Sequence, residues 1–302
     1  MARPSFRAAP VRVRVPATSA NLGPGFDVFA LALDLYDDVV LRIADQGLSV
    51  DVAGEGADDL PRNARHLVVK AVRAAFDALG GQPRGLEVVC ANRIPQSRGL
   101  GSSAAAIVAG IVAARALVLG GEELLDDAAA LALAATVEGH ADNVAACLLG
   151  GLTLAWNEQG LARALRLDPV GLAPILFVPA TRSSTARGRR VLPDAVPLAD
   201  AAANAARAAL LVPALTGRPD LLFAATQDRL HQGVRAVVMP RTGALLDKLR
   251  ADGRPAVLSG SGPAVLVLHD GGADLSSYAG KTWQVLRLAV DGTGATVLPV
   301  HG

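Results

Sequence analysis

The stretch Pro95-Gln-Ser-Arg-Gly-Leu-Gly-Ser-Ser-Ala-Ala105 is a glycine-serine loop that runs directly into a long apolar, alanine-rich segment. A loop that opens into a helix gathers unpaired backbone N–H groups at the positive end of the helix dipole, and such a place suits phosphate. Nucleotide chemistry is therefore the expectation. Two familiar phosphate loops fit it poorly. A P-loop needs a lysine to reach the outer phosphates, and no lysine lies between Lys70 and Lys248. The run Gly99-Leu-Gly-Ser-Ser-Ala104 satisfies the dinucleotide fingerprint G-x-G-x-x-A, but that motif needs a strand immediately before it and a ribose-binding acid after a second strand. Here Pro95 and its neighbours separate the apolar run Leu86 to Cys90 from the glycines, and Glu122 and Glu123 sit between helical segments. A flexible turn before a buried helix is the plainer alternative for the loop taken alone.

Working outward, 302 residues exceed what one hydrophobic core usually supports, so two domains are expected, 1–168 and 169–302. The boundary is placed where Leu167 to Pro174 turns rich in Asp, Pro and Gly. The composition, 51% hydrophobic and 19% charged with 3% aromatic, describes a globular enzyme rather than a disordered or fibrous chain. A net charge of +1 supplies no general field to attract nucleic acid or an anionic membrane, so any anion must be bound locally. Neither nucleic acid nor membrane is an expected partner. Cys90 and Cys147 lack metal or redox spacing and sit in apolar contexts, which suits reduced thiols and a cytoplasmic setting. The N-terminus leads into alternating Val11-Arg-Val-Arg-Val15 instead of an apolar signal core, and the uncharged run Gly99 to Ala114 is too short for a membrane span.

Alternation predicts a strand over Val11 to Val15, and a second strand or hairpin over Ala30 to Ile43. Helices are expected over Leu67 to Leu79, Ser102 to Leu119, Glu122 to Val137 and Asn143 to Leu149, each followed by glycine as a stop. Leu86 to Cys90, Leu152 to Trp156 and Ile175 to Val178 read as strands. An arginine-rich loop, Thr181 to Arg190, leads to three helical stretches between about Ala199 and Arg250. Strands follow at Ala256 to Leu258 and Ala264 to Leu268, then a helix from near Asp274 and a strand over Trp283 to Val290. The irregular alternation points to α+β layers.

Four constellations outside the loop carry possible chemistry. In Thr18-Ser-Ala-Asn-Leu-Gly-Pro-Gly-Phe-Asp27 a carboxylate stands within an apolar run, where a charge needs a partner. Asn21 and Asp27 either hold an ammonium or hydroxyl of a small substrate or merely cap the turn. In Glu138-Gly-His-Ala-Asp-Asn143 the glutamate suits an oxygen ligand for Mg²⁺ opposite a phosphate loop, the alternative being a polar turn between helices. The segments Thr185-Ala-Arg-Gly-Arg-Arg-Val-Leu-Pro193 and Asp228-Arg-Leu-His-Gln-Gly-Val-Arg235 contain arginines able to clamp an anionic group, although Arg182, Arg187 and Arg190 read better as solvated. Leu258-Ser-Gly-Ser-Gly-Pro-Ala264 is a small-residue turn that permits close backbone approach.

In this order these pieces resemble the motifs of the GHMP small-molecule kinases. Pro95 to Ala105 matches the family's P-x-x-x-G-L-G-S-S-A-A at every defined position, and Ser259 to Pro263 matches its C-terminal glycine motif. Within the family, Ala17 to Phe29, Glu138 to Val144, the pattern from Thr185 through Arg189 to Leu192-Pro193, and Leu230-His-x-x-x-Arg235 resemble the homoserine kinases. The resemblance implies an α+β, two-domain GHMP kinase fold, with an N-terminal domain like ribosomal protein S5 domain 2 and a ferredoxin-like C-terminal domain. It implies transfer of the ATP γ-phosphate to the hydroxyl of L-homoserine, a step of threonine biosynthesis, by an enzyme whose relatives are commonly homodimers. It places Asn21, Asp27, His140, Asp142, Asn143, Thr185, Arg189, Arg235 and Gly260 around the amino acid, with Asp142, Asn143 and Arg189 nearest the chemistry. Pro95, Gln96, Ser97, Arg98, Gly99, Leu100, Gly101, Ser102, Ser103, Ala104 and Ala105 would cradle ATP, and Ser103 with Glu138 would hold Mg²⁺. Asp142 is assigned to binding first, its service as a base left open, and the adenine contacts are left unassigned. A kinase for another small alcohol, or a non-catalytic sensor on the same fold, are the competing readings.

Overall fold

The computed structural model describes residues 4–269 and 272–300. The glycine loop lies where two sheets meet. The first sheet has seven strands: β1 (Val11–Ala20), β2 (Phe29–Ala44), β3 (Gly47–Gly54), β4 (Gly85–Asn92), β5 (Leu152–Glu158), β6 (Leu161–Leu167) and β11 (Thr296–Leu298). The second has four, β7 (Ile175–Pro179), β8 (Ala256–Leu258), β9 (Val265–Val267) and β10 (Trp283–Arg287), in the order β10-β7-β9-β8. The architecture is α+β, as expected.

Strand β2 organises the first sheet. It pairs antiparallel with β1 along Ala30 to Leu41, with β5 at its start and with β4 at its end, so one long strand serves three neighbours. A register shift between Pro16 and Ala17 in β1 accommodates the proline, which cannot donate to the ladder. Beyond this point β1 runs fully buried to Ala20 and delivers Asn21 to the cavity.

Helices α2 (Ser102–Leu117), α4 (Asp127–Glu138) and α5 (Asp142–Leu149) pack on this sheet, and α1 (Leu67–Ala78) packs on α2 and α4. Helix α2 is apolar all round and buried over nearly its whole length, as a central helix must be. Gly110 lets α1 approach closely, since a β-carbon there would lie 2.7 Å from Val68 O. The short α3 (Gly121–Leu124) precedes α4. A single helix over Glu122 to Val137 is therefore not what forms: the Asp126 carboxylate accepts from Ala129 N at 2.8 Å and starts a new helix there.

The second half supplies α6 (Thr185–Arg190), α7 (Leu198–Thr216), α8 (Leu222–Ala225), α9 (Gln232–Val238) and α10 (Pro240–Ala251). The arginine-rich stretch is thus partly helical, with Ser184 Oγ accepting from Arg187 N as its cap. Only a single 3₁₀ turn, Ser276–Tyr278, stands where a helix was expected near Asp274. Helix α7 is the one helix among the described residues whose length and apolar composition would suit a membrane, and it carries Asp200 and Arg207. The chain does not end in the second sheet. Strand β11 returns to pair with β1, and a buried Asp291 ties it back by accepting from Tyr36 Oη at 2.8 Å.

Candidate active site

A cavity of about 210 Å³ opens between the two sheets, and the loop ahead of α2 forms its floor. Gly101 precedes the helix in the left-handed conformation, at φ +67°. A β-carbon there would fall 1.9 Å from Thr18 Oγ1, so any other residue must displace that hydroxyl. The first N–H groups of α2 consequently face the cavity, whose lining includes Gly99, Leu100, Gly101, Ser102 and Ser103. Gln96 and Ala105 face a neighbouring cavity instead, and Ser97 lines both.

Arg98 turns away from the cavity. Its guanidinium donates to the carbonyls of Gln96, Pro179 and Ala180 at 2.7 to 3.0 Å, which fastens the loop to the end of β7. Ser259 secures the other side, donating to Gly99 O at 2.7 Å and lying 2.9 Å from Ser19 Oγ. Gly99 itself must be glycine, because a β-carbon would meet Ser259 O at 2.1 Å.

Across the loop stands Ser103, whose hydroxyl donates to Glu138 Oε2 at 2.5 Å. Two oxygen donors thus converge beside the N–H groups at the start of α2. Burial raises the pKa of Glu138, the Ser103 bond opposes this, and Asp142 nearby adds to it. No group of three or more His, Cys, Asp or Glu is poised for a metal among the described residues. The pair fits Mg²⁺, which takes one or two carboxylates and leaves most positions to phosphate and water, and does not fit a transition metal.

The remaining walls carry opposite charges. Asp27 and Arg189 join through two bonds, Nη1–Oδ2 at 3.0 Å and Nη2–Oδ1 at 2.8 Å, although 162 residues separate them in sequence. Arg189 Nε, shut off from solvent, has no partner. Arg235 is 2% exposed, and its Nε donates to Gly188 O at 3.2 Å. Its Nη1 donates to Gly260 O at 3.2 Å and to His231 Nδ1 at 2.9 Å. The last bond fixes the histidine tautomer, since Nε2–H must then donate to Gly23 O at 2.8 Å. Burial lowers the His231 pKa and keeps the ring neutral, as this arrangement requires. Asp228 in turn accepts from the N–H groups of Leu230, His231 and Gln232 and starts α9. The Phe26 ring lies under both guanidinium groups, at 5.7 Å from Arg189 and 5.4 Å from Arg235.

Asn21 and Asp27 adopt positive φ, 70° and 58°, without being glycine. Such strain persists only where neighbours impose it. Asn21 Nδ2 donates to Gly260 O at 2.8 Å and its Oδ1 accepts from Asp27 N at 3.0 Å, so the turn is bolted to the second sheet's glycine loop. Asn143 Oδ1 accepts from Thr18 Oγ1 at 2.7 Å. Asp142 is 3% exposed, and burial pushes its carboxyl up to about 6 despite a bond from Asn143 N. Burial and then Arg189 lower the pKa of His140, with Asp27 opposing them.

Asn21, Asp27, His140, Asp142, Asn143, Arg189, Arg235 and Gly260 all line this one cavity. Thr185 begins α6, and its side chain lies outside the described residues. Arg187 and Arg190 are exposed on α6, while Arg189 turns inward. Sequence reasoning missed Ser183, Ser184 and Ser261, which also line the cavity. The hydroxyl run at 183–185 and the quoted glycine turn held the available signals. It also missed a second cavity of about 220 Å³, walled largely by Val39, Leu60, Leu67, Val68, Ala105 and Ala106. This cavity shares Ser97, Ser102 and Ser103 with the first, so the two meet at the loop.

Residues 66–151 match the GHMP kinases N terminal domain model and residues 202–277 the GHMP kinases C terminal model. The chain is 63% identical to homoserine kinase of Streptomyces coelicolor, over 99% of this chain and 98% of that one. It superposes on the crystal structure of homoserine kinase from Cytophaga hutchinsonii with a TM-score of 0.80 at 27% identity, covering 99% of this chain and all of that one. The L. major mevalonate kinase in complex with R-mevalonate shares the fold, at TM-score 0.68 and 18% identity over 97% of this chain and all of that one.

Proposed function

The chain belongs to the GHMP kinase family, grouping there with the homoserine kinases, and we propose that it transfers the γ-phosphate of ATP to the side-chain hydroxyl of L-homoserine, giving O-phospho-L-homoserine and ADP. The observation that carries this reading is the meeting, in one cavity, of a phosphate-binding helix start with Asp27, Arg189 and Arg235 on the facing walls. Homoserine is a zwitterion, so its pocket must offer an anion to the ammonium and a cation to the carboxylate. Asp27 takes the ammonium, while Arg235, with Arg189 beside it, takes the carboxylate. The ion pair between Asp27 and Arg189 holds both charges in place until the zwitterion matches them.

The nucleotide spans both cavities, with its phosphates on the loop and its base in the apolar one. Ser103 and Glu138 would hold Mg²⁺, which when bound neutralises charge on the transferring phosphoryl group. The backbone N–H groups at the start of α2 do the same from the protein side, already oriented before reaction. Asp142 holds the hydroxyl hydrogen, and with a pKa of about 6 it is matched to receive the proton as the oxygen attacks phosphorus and the bond to ADP breaks. Asn143 fixes Asp142 through its N–H and anchors to Thr18.

The proposal includes a working division near residue 168, between the sheet that carries the loop and the half that carries the arginines. It also includes a cytoplasmic location, in keeping with two buried unpaired thiols. A coupled assay of ADP formation with Mg²⁺-ATP and L-homoserine is the test. Turnover with other small alcohols and none with homoserine defeats the substrate assignment, and binding without ADP release defeats the kinase reading altogether.

A further inference from the structure

Asp27 and Arg235 stand far apart in the chain, one at the end of the turn that follows β1 and the other in α9, and the His231 ring joins their supports. Its Nε2–H donates to Gly23 O at 2.8 Å, on the turn that carries Asp27, and its Nδ1 accepts from Arg235 Nη1 at 2.9 Å. The residue is 1% exposed, and burial lowers its pKa, so the neutral ring has one donor and one acceptor and spends both. A side chain needed only for packing would be apolar, since burying two ring nitrogens costs free energy unless both are bonded. The carboxylate nearest Nε2, Asp228 at 3.9 Å, is itself fully buried and accepts from the N–H groups that start α9. Phe26 lies against the imidazole, with ring centroids 5.3 Å apart.

Each of the two supports is also fastened without His231. Asn204 Nδ2 donates to Pro24 O at 2.8 Å and Asn21 Nδ2 to Gly260 O, which hold the turn, while Gly188 O and Gly260 O hold Arg235. What the imidazole adds is a stiff strut between them, its two nitrogens fixed across an aromatic ring. We infer that His231 is a positioning residue that sets the spacing between the ammonium-binding and carboxylate-binding charges, and so selects an α-amino acid over a longer one. This rests on the proposed homoserine reading and deepens it. In an α-amino acid the ammonium and carboxylate share one carbon. A guanidinium held for that spacing is misplaced for a substrate with a further carbon between the two charges, and misplacement of this kind is felt in kcat/KM.

The test compares three alcohols in the ADP-release assay with the full chain. These are L-homoserine, 3-aminopropan-1-ol, which lacks the carboxylate, and 3-amino-5-hydroxypentanoate, which keeps the hydroxyl-to-ammonium spacing and adds one carbon before the carboxylate. His231→Phe should raise KM for homoserine and reduce the preference for it over the longer acid by about tenfold, the loss of one hydrogen bond, with the carboxylate-free alcohol turned over as before. His231→Gln, which keeps a donor and an acceptor, should restore most of that preference. An undiminished preference in His231→Phe overturns the inference, as does an equal fall for homoserine and 3-aminopropan-1-ol, which is what general loosening of the fold would give. A wild type that turns over none of the three defeats the proposed function itself. Should neither variant fold, the ring ¹⁵N resonances of His231 in the wild type decide: Nε2 must carry the proton and Nδ1 must be bare, with and without homoserine, and the opposite tautomer overturns the inference.

Discussion

Replacing Arg235 by methionine isolates the cation proposed to receive the substrate carboxylate. Its Nε–H and both Nη1 hydrogens are spent on Gly188 O, Gly260 O and His231 Nδ1, which leaves the Nη2 hydrogens for the cavity that Arg235 lines. The group is 2% exposed, so water screens the interaction little. A charge-assisted hydrogen bond lost at such a place costs roughly 1.5 to 3 kcal/mol, a fall in kcat/KM for homoserine of about 10- to 150-fold. Methionine keeps most of the buried volume, but Gly260 O and Gly188 O lose donors, so the melting temperature should also drop. To separate substrate binding from this loosening, the same assay is run with 3-aminopropan-1-ol, which has the ammonium and hydroxyl of homoserine without its carboxylate. Wild type and Arg235→Met should turn over this amino alcohol at similar kcat/KM. An unchanged kcat/KM for homoserine, or an equal fall for both alcohols, would refute the assignment of Arg235 to the carboxylate.

Three other perturbations test the remaining parts. The kcat/KM profile should fall below pH about 6, where the raised carboxyl of Asp142 becomes protonated, and Asp142→Asn should lower activity and remove that limb; a limb that survives in Asp142→Asn assigns it elsewhere. The same raised pKa favours the protonated folded state, so this group's contribution to stability is present below about pH 4 and lost as pH rises through about 6. Thermal melts of Asp142→Asn should accordingly match or exceed the wild type at neutral pH. Glu138→Gln should raise the Mg²⁺ concentration for half-maximal activity by about tenfold with little change in KM for homoserine, as magnesium titration of initial rates will tell. Gly101→Ala should raise KM for ATP and lower the melting temperature, because left-handed φ costs an alanine about 1 kcal/mol and its methyl displaces Thr18 Oγ1 from Asn143.

The loop and helix α2 were legible because their physics is local. Glycines and serines directly before an apolar run leave N–H groups unpaired wherever the rest of the chain goes. Buried strands such as β1, β2 and β7 were legible from alternation or from short apolar runs. Three strands were not. β3 buries only Val50 and Val52, β6 is half-buried to exposed along its length, and β11 is three residues long. Each is a strand because a neighbour offers an unpaired edge, β4 to β3, β5 to β6 and β1 to β11, and an edge is a tertiary fact. The break between α3 and α4 was visible in principle, as Asp126 three residues before Ala129 has the spacing of a cap.

Among the candidate site residues, chain order and motif spacing picked out side chains that come to line one cavity, but not how they pair there. Choosing Arg189 over Arg187 and Arg190 rested on spacing alone, and the turn of α6 brings Arg189 to Asp27 while Arg187 and Arg190 stay exposed. Arg98 belongs to the loop by sequence and to the end of β7 by its bonds. What the sequence by itself determined is the loop that opens into helix α2, with the glycines and serines that make it, because backbone conformation follows from neighbouring residues. The tertiary structure alone decided the pairing of Asp27 with Arg189, the burial that lifts Asp142 to about 6, and the apolar cavity beside His66. Those depend on desolvation and on contacts between residues far apart in the chain, and neither exists until both sheets have packed around the loop.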